Sequence, residues 1–176
     1  GGPTANGSFR QVEVRRGGKL VTTLDIYDYL LHGINANDVR LESGDVVFVP
    51  VHSEFVKIAG EVTRPAVYEV LPDETLRDLL EFAGGFGPAA YQARVRIHRI
   101  LPPESRENGN RARVVVDVGP EQFAGGVVPA VPVSAGDSVT VLAVADRLRG
   151  AAVQPQPLPA QLRRPRARRG GDRQGG

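Results

Sequence analysis

Few residues in this chain are placed to do chemistry. His32, His52 and His98 fall in three separate segments, and no H-x-x-x-H spacing sets two imidazoles on one helix face for a metal ion. There is no cysteine, so disulfides, thiolate nucleophiles and sulfur ligands are excluded. Asp25, Asp45, Asp117 and Asp137 each stand at an expected cap or turn. There a carboxylate accepts backbone N–H bonds, which argues against a paired-acid role. Gly84-Gly85-Phe86-Gly87 is rich in glycine, but it follows an expected helix instead of opening one. It aims no helix N-terminus at a phosphate, so it reads as a C-cap. Tyr68 reads as a packing residue. We therefore expect no enzyme activity, no metal and no cofactor. Arg94, Arg96 and His98 are different. They alternate with Val95 and Ile97, so all three share one face of a strand. Two readings stay open for this candidate binding set: a solvated face, or a contact for an anionic polymer or a neighbouring subunit.

The elements around these residues must position them, and the best patterned is the stretch 56–85, VKIAGEVTRPAVYEVLPDETLRDLLEFAGG. It predicts strand, turn, strand, short helix and glycine stop. Val56, Ile58 and Val62 alternate with small or polar residues, as in a half-buried strand. Thr63-Arg64-Pro65-Ala66 predicts a tight turn of type I, with φ fixed by Pro65 and no glycine at Ala66 to favour type II. Residues 67–70 are the return strand. Thr75 predicts a helix N-cap, with Asp78 reaching back as in a capping box. Leu76, Leu79, Leu80 and Ala83 form one apolar stripe. Gly84-Gly85 supplies the left-handed residue that stops the helix. So short a helix is marginal alone and must lie on the hairpin's apolar face.

The order Gly60-Glu61-Val62, Pro65, Tyr68, Thr75-Leu76, Leu80, Ala83-Gly84-Gly85 resembles the soluble ligand-binding β-grasp domain of bacterial polysaccharide export proteins. The resemblance runs over residues 8–144. It departs at Ala66, where that family usually has glycine. It implies an α+β fold, a β-grasp (ubiquitin-like) module in which a small mixed sheet holds one short helix. It also implies a place in the Gram-negative cell envelope, on the periplasmic side of the outer membrane. The partners it implies are the chain's own subunits in a ring-like homo-oligomer, the exported capsular or exopolysaccharide, and an inner-membrane polysaccharide co-polymerase. Two other readings are a stand-alone β-grasp module for a small soluble ligand and an accessory domain of a larger enzyme complex.

The rest of the chain predicts a repeat. Residues 9–14 are a strand carrying Val12 and Val14. Arg16-Gly17-Gly18-Lys19 is a hairpin turn, and residues 20–24 return. Asp25 then caps a short helix stopped by Gly33, and Leu41-Glu42-Ser43-Gly44-Asp45 turns into a strand at 46–49. Val95 and Ile97 mirror Val12 and Val14, residues 114–116 mirror the second strand, and Val133-Ser134-Ala135-Gly136-Asp137 mirrors the later turn. Asp25 to Asp45 and Asp117 to Asp137 are both 20 positions apart, which supports an internal repeat. The alternative is two unrelated hairpins with common turns. On the repeat reading, residues 8–50 are the C-terminal half of one β-grasp copy and residues 53–145 a complete second copy. The hairpin-and-helix half of the first copy would then precede residue 1.

Length and charge fit this division. The 176 residues suit one ordinary domain or two small ones, and a 41% hydrophobic share can fill a modest core. Residues 102–110 predict an exposed loop. The net charge of +2 hides an asymmetry, since six arginines against Asp172 from Gly150 onward give +5 and leave −3 for the remainder. The basic character thus belongs to residues 150–176, a Pro- and Arg-rich tail expected to be disordered. It does not mark the folded part as a nucleic-acid binder, and we expect no nucleic-acid partner.

Overall fold

The computed structural model describes residues 2–4, 6–52, 54–106, 112–123 and 126–144. Residues 150–176, read above as a disordered tail, lie outside the described residues, as does the 107–110 part of the expected loop.

The described chain is an α+β fold with two sheets. The first has three strands, β1 (Val12–Arg16), β2 (Lys19–Leu24) and β3 (Val46–Phe48), in the order β2-β1-β3. The second has five, β4 (Phe55–Gly60), β5 (Ala66–Glu69), β6 (Ala90–Ile100), β7 (Arg113–Val118) and β8 (Ser138–Ala143), in the order β5-β4-β8-β6-β7. It is mixed: β4 runs parallel to β8, and every other pair is antiparallel. One short helix, α1 (Leu76–Phe82), covers its inner face. A mixed sheet with one helix on it is consistent with a β-grasp-like module.

Alternation places the core. Val56 and Ile58 of β4, Val95 and Ile97 of β6, Val116 and Val118 of β7, and Val139 and Val141 of β8 all point inward and are buried. Leu76, Leu79, Leu80 and Ala83 meet them from the helix, as their stripe predicts, and Phe82 is buried as well. Each of the leucines and Phe82 contributes roughly 1.5–3 kcal/mol by leaving water, which is what holds a helix of this length. The Asp78 carboxylate accepts the Thr75 backbone N–H at 2.8 Å and its hydroxyl at 2.7 Å, completing the capping box. Gly84 and Gly85 take φ of 73° and 81° and end the helix.

Gly60 stands where β4 comes closest to β8. Its φ is +83°, and a Cβ there would stand 2.1 Å from the Val141 carbonyl oxygen, so β4 can approach β8 only without a side chain. The strand ends at that point instead of reaching Val62. The expected type I turn is replaced by a longer connection. Ala66 already pairs with Ile58 inside β5, and the intervening residues are pinned to the helix end by Thr63 N–H to Gly85 O and Arg64 N–H to Ala83 O bonds. The hairpin is set by the helix terminus, not by Pro65.

The first sheet matches part of the second. β1 pairs with β3 as Glu13↔Phe48, Val14↔Val47 and Arg15↔Val46, and β6 pairs with β8 as Arg96↔Thr140, Ile97↔Val139 and His98↔Ser138. The register is the same in both. So is the turn before the last strand: Asp45 accepts the Glu42 N–H, Asp137 accepts the Ser134 N–H, and Gly44 and Gly136 both have positive φ. The 20-residue aspartate spacing, however, is not an equivalence. Asp117 lies within β7 opposite Arg96, the place Thr23 holds opposite Glu13, whereas Asp25 follows β2. There it accepts the Tyr27 N–H and opens a turn of π-helix, Asp28–His32, capped by a left-handed Gly33. The helix expected after Asp25 is present but wider than an α-helix.

A buried joint fastens the sheets together. Arg10 donates Nε to Asp25 at 2.7 Å and both terminal nitrogens to Glu74 at 2.8 and 3.1 Å. Its guanidinium also lies over the rings of Tyr27 and Phe82. Ser8 Oγ and the Phe9 N–H donate to the two oxygens of Glu69.

Candidate functional site

Strand β6 crosses the five-stranded sheet between β7 and β8, so its outward residues sit one strand in from the β7 edge. Arg94, Arg96 and His98 occupy that face, opposite the buried Val95 and Ile97, as alternation predicts. The structure does not leave them equally free. Arg94 forms a two-pronged pair with Asp117, Nε to Oδ1 at 3.0 Å and Nη2 to Oδ2 at 2.8 Å, and Arg96 Nε stands 3.9 Å from the same carboxylate. Asp117 is thus an ion-pair residue in a strand, not a turn cap. Its hydrogen bond raises the Arg94 pKa above the ordinary arginine value, so that guanidinium stays charged. Two cations share one carboxylate, and one positive charge is left over. His98 is exposed.

Cross-strand neighbours extend the set beyond what spacing within β6 could show. Ser138 lies beside His98 on one side and beside Lys57 of β4 on the other. Arg113 of β7 stands opposite Ile100. Directly paired residues point to the same face, so Lys57, Ser138, His98 and Arg113 share the surface that carries Arg96. The signal for Lys57 and Arg113 was in their parity, each lying one residue from a buried or half-buried valine, but only the pairing brings them together.

Arg99 is the residue that the sequence reading passed over. It falls on the buried parity of β6, after Val95 and Ile97, and is 5% exposed. Its Nε donates to Asp137 Oδ1 at 2.9 Å, and its Nη2 donates to Asp137 Oδ2 at 2.6 Å and to the Pro132 carbonyl at 2.8 Å. Arg16 repeats this pattern in the first sheet, with Nε to Asp45 Oδ1 at 2.7 Å, Nη2 to Asp45 Oδ2 at 2.8 Å and Nη2 to the Arg40 carbonyl at 3.4 Å. Arg16 holds the Asp45 carboxyl down at about 2, chiefly through that hydrogen bond. Tyr68 packs near Phe82 and Tyr27 and donates its hydroxyl to the Arg64 carbonyl, as a structural residue would.

Two concavities flank these elements. One, about 330 Å³, lies beside the π-helical turn and is lined by Leu24, Ile26, Tyr29 and the acids Asp25, Asp28 and Asp38, among others. The other, about 320 Å³, lies on the outer face between His98, Ile100, Arg113, Gly136 and Ser138. Among the described residues no group of three or more histidines and acids is arranged to hold a metal.

Residues 55–115 match the family model of the SLBB domain. The SLBB domain is a soluble ligand-binding β-grasp domain found in polysaccharide export proteins. The matched stretch runs from the start of β4 through α1 and β6 into β7, and so carries Arg94, Arg96, His98 and Arg113. The SLBB match covers the hairpin, helix and glycine stop that carry the sequence resemblance. No curated protein matches the chain. No helix among the described residues is long and apolar enough to cross a membrane.

Proposed function

We propose that this chain is a non-catalytic ligand-binding part of a polysaccharide export protein, working on the periplasmic side of the outer membrane. On this reading the outer face of β6 contacts an acidic polysaccharide as it passes. The observation that carries it is the sign of that face within the SLBB match. Lys57, Arg96, His98 and Arg113 stand on one sheet surface whose nearest carboxylate, Asp117, is taken up by Arg94. The family is one of ligand binders, which supports a non-enzymatic role. We also read residues 8–50 as the C-terminal half of a second SLBB copy and residues 53–145 as a complete one. The shared β1/β3 and β6/β8 register and the repeated Arg–Asp turn support this. The partners on this reading are further copies of the chain in a ring, the exported polymer and an inner-membrane co-polymerase.

Exposed charge contacts are weak singly and are screened over about 8 Å at physiological salt. One copy of the chain should therefore hardly retain a polymer, whereas a dense array should, through multivalency. The test compares retention of an acidic glycan by protein immobilised sparsely and densely. Dense protein should hold it at low salt and release it at high salt. Lys57→Gln with Arg96→Gln should remove the retention while leaving the Arg94–Asp117 pair intact. Replacing Arg94 instead would strand the Asp117 carboxylate, whose side chain is 6% exposed, and confuse stability with binding. Retention that survives the Lys57/Arg96 double substitution refutes the assignment of this face.

A further inference from the structure

We propose that the cavity between His98, Ile100, Arg113 and Ser138 binds a single acidic sugar residue, a pyranose bearing a carboxylate. This rests on the polymer-contact reading above and gives it a defined subsite. At about 320 Å³ the cavity stands at the lower end of the range for small-molecule sites. Its lining carries no carboxylate. Asp137, next along the chain from Ser138, points to the opposite face and is held there by Arg99 and the Ser134 N–H. Arg99 lines the cavity, but its guanidinium is committed to Asp137 and the Pro132 carbonyl. Arg113 is exposed and has no acid partner among the described residues. Its planar fork matches a carboxylate with two parallel hydrogen bonds. His98 and the Ser138 hydroxyl can donate to and accept from ring hydroxyls. Ile100, 56% exposed, offers an apolar floor to the C–H face of the ring. The charged groups facing His98 are Arg96 on its own strand, Arg113 on β7 and Lys57 beyond Ser138 on β4. Asp117 lies one residue pair further along and is held by Arg94.

The first sheet is an internal comparison. Equal register puts Arg15 in the place of His98 and Val46 in the place of Ser138. Arg15 is paired with Glu13 at 2.6 Å and lies over the Phe48 ring. The same backbone thus carries a neutralised, apolar surface in the first sheet and an open cationic one in the second. The site is a property of these side chains and not of the fold.

The test is a solution NMR titration of the full chain with D-glucuronate, alongside D-glucose as the neutral ring and acetate as the bare carboxylate. Glucuronate should shift the signals of His98, Arg113 and Ser138 together, because all three line the cavity. Glucose and acetate should do far less at equal concentration. Arg113→Gln should weaken glucuronate binding about tenfold or more, the loss of one charge-assisted contact. The titration is read on single chains and needs no array, so a chain that binds glucuronate but shows no dense-array retention fails the polymer-contact assignment alone, and retention without a glucuronate response fails the subsite alone. An acetate response equal to that of glucuronate would reduce the site to a simple anion contact and overturn the sugar assignment. A glucuronate response that Arg113→Gln does not weaken, or one that leaves the His98 and Ser138 signals unmoved, would overturn the site itself.

Discussion

The two Arg–Asp turns offer an experiment in which one constellation is perturbed in two environments. Asp137→Asn is isosteric and can keep the Ser134 N–H bond through its carbonyl oxygen. It removes the negative charge and sets an NH2 group against the guanidinium of Arg99. Arg99 is 5% exposed and Asp137 1%, so the cation is left without its counter-charge where water cannot replace it. Breaking one side of a buried pair costs about 3–5 kcal/mol, which is a large part of the 5–15 kcal/mol that a small domain has. With a urea m-value of about 1–3 kcal/mol/M, the midpoint of unfolding should fall by about 1 M or more. Asp45→Asn makes the same chemical change against Arg16. That side chain is 39% exposed and is also paired to Glu42, so water and a second carboxylate take up the charge. Its effect should be clearly the smaller of the two. Urea titrations followed by far-UV circular dichroism and by tyrosine fluorescence measure both. Equal shifts for the two variants would mean that burial does not decide the strength of this motif, and the argument would fail.

Two further perturbations test how the second sheet is held. Leu79→Ala removes a side chain at 0% exposure from the middle of the helix stripe and should cost about 2–5 kcal/mol through lost burial plus the cavity left behind; a denaturation midpoint that barely moves would mean that the helix is not seated on the core. Gly60→Ala places a methyl 2.1 Å from the Val141 carbonyl at a left-handed φ, so strain and displacement of β4 from β8 should together cost about 3 kcal/mol or more. Loss of protection at the Glu61 amide, which bonds to the Val141 carbonyl, would report that displacement in a hydrogen-exchange measurement; a neutral substitution would show that the two strands are not in close approach.

Local physics made much of this protein legible from its residues. The 3.6-residue spacing of Leu76, Leu79, Leu80 and Ala83, the Thr75–Asp78 box and the Gly84-Gly85 stop are all short-range features, and they define α1 without reference to anything distant. Period-two alternation likewise separated Val95 and Ile97 from Arg94, Arg96 and His98, because a strand's faces are fixed by its own backbone. The same rule, carried two residues further, marks Arg99 as a charge on the buried face. The Gly-Asp turns of both sheets were also visible, since an aspartate accepting an N–H three residues back is a local bond.

Pairing between distant strands decided the rest. Asp117 looked like a turn residue until β7 was set against β6 and brought it beside Arg94 and Arg96. Lys57, Ser138, His98 and Arg113 come from four strands spread over 81 positions of chain, and only sheet register places them on one surface. The Arg10 joint to Glu69, Glu74 and Phe82 spans more than 55 positions in each contact and leaves no local trace. Equal aspartate spacing suggested an equivalence that strand register denies, because spacing counts residues while register counts hydrogen bonds. The sequence by itself determined which residues face in and where the elements stop. Which charges neutralise one another, and which share one open surface, was decided only when the sheet brought distant strands within 5 Å or so of each other.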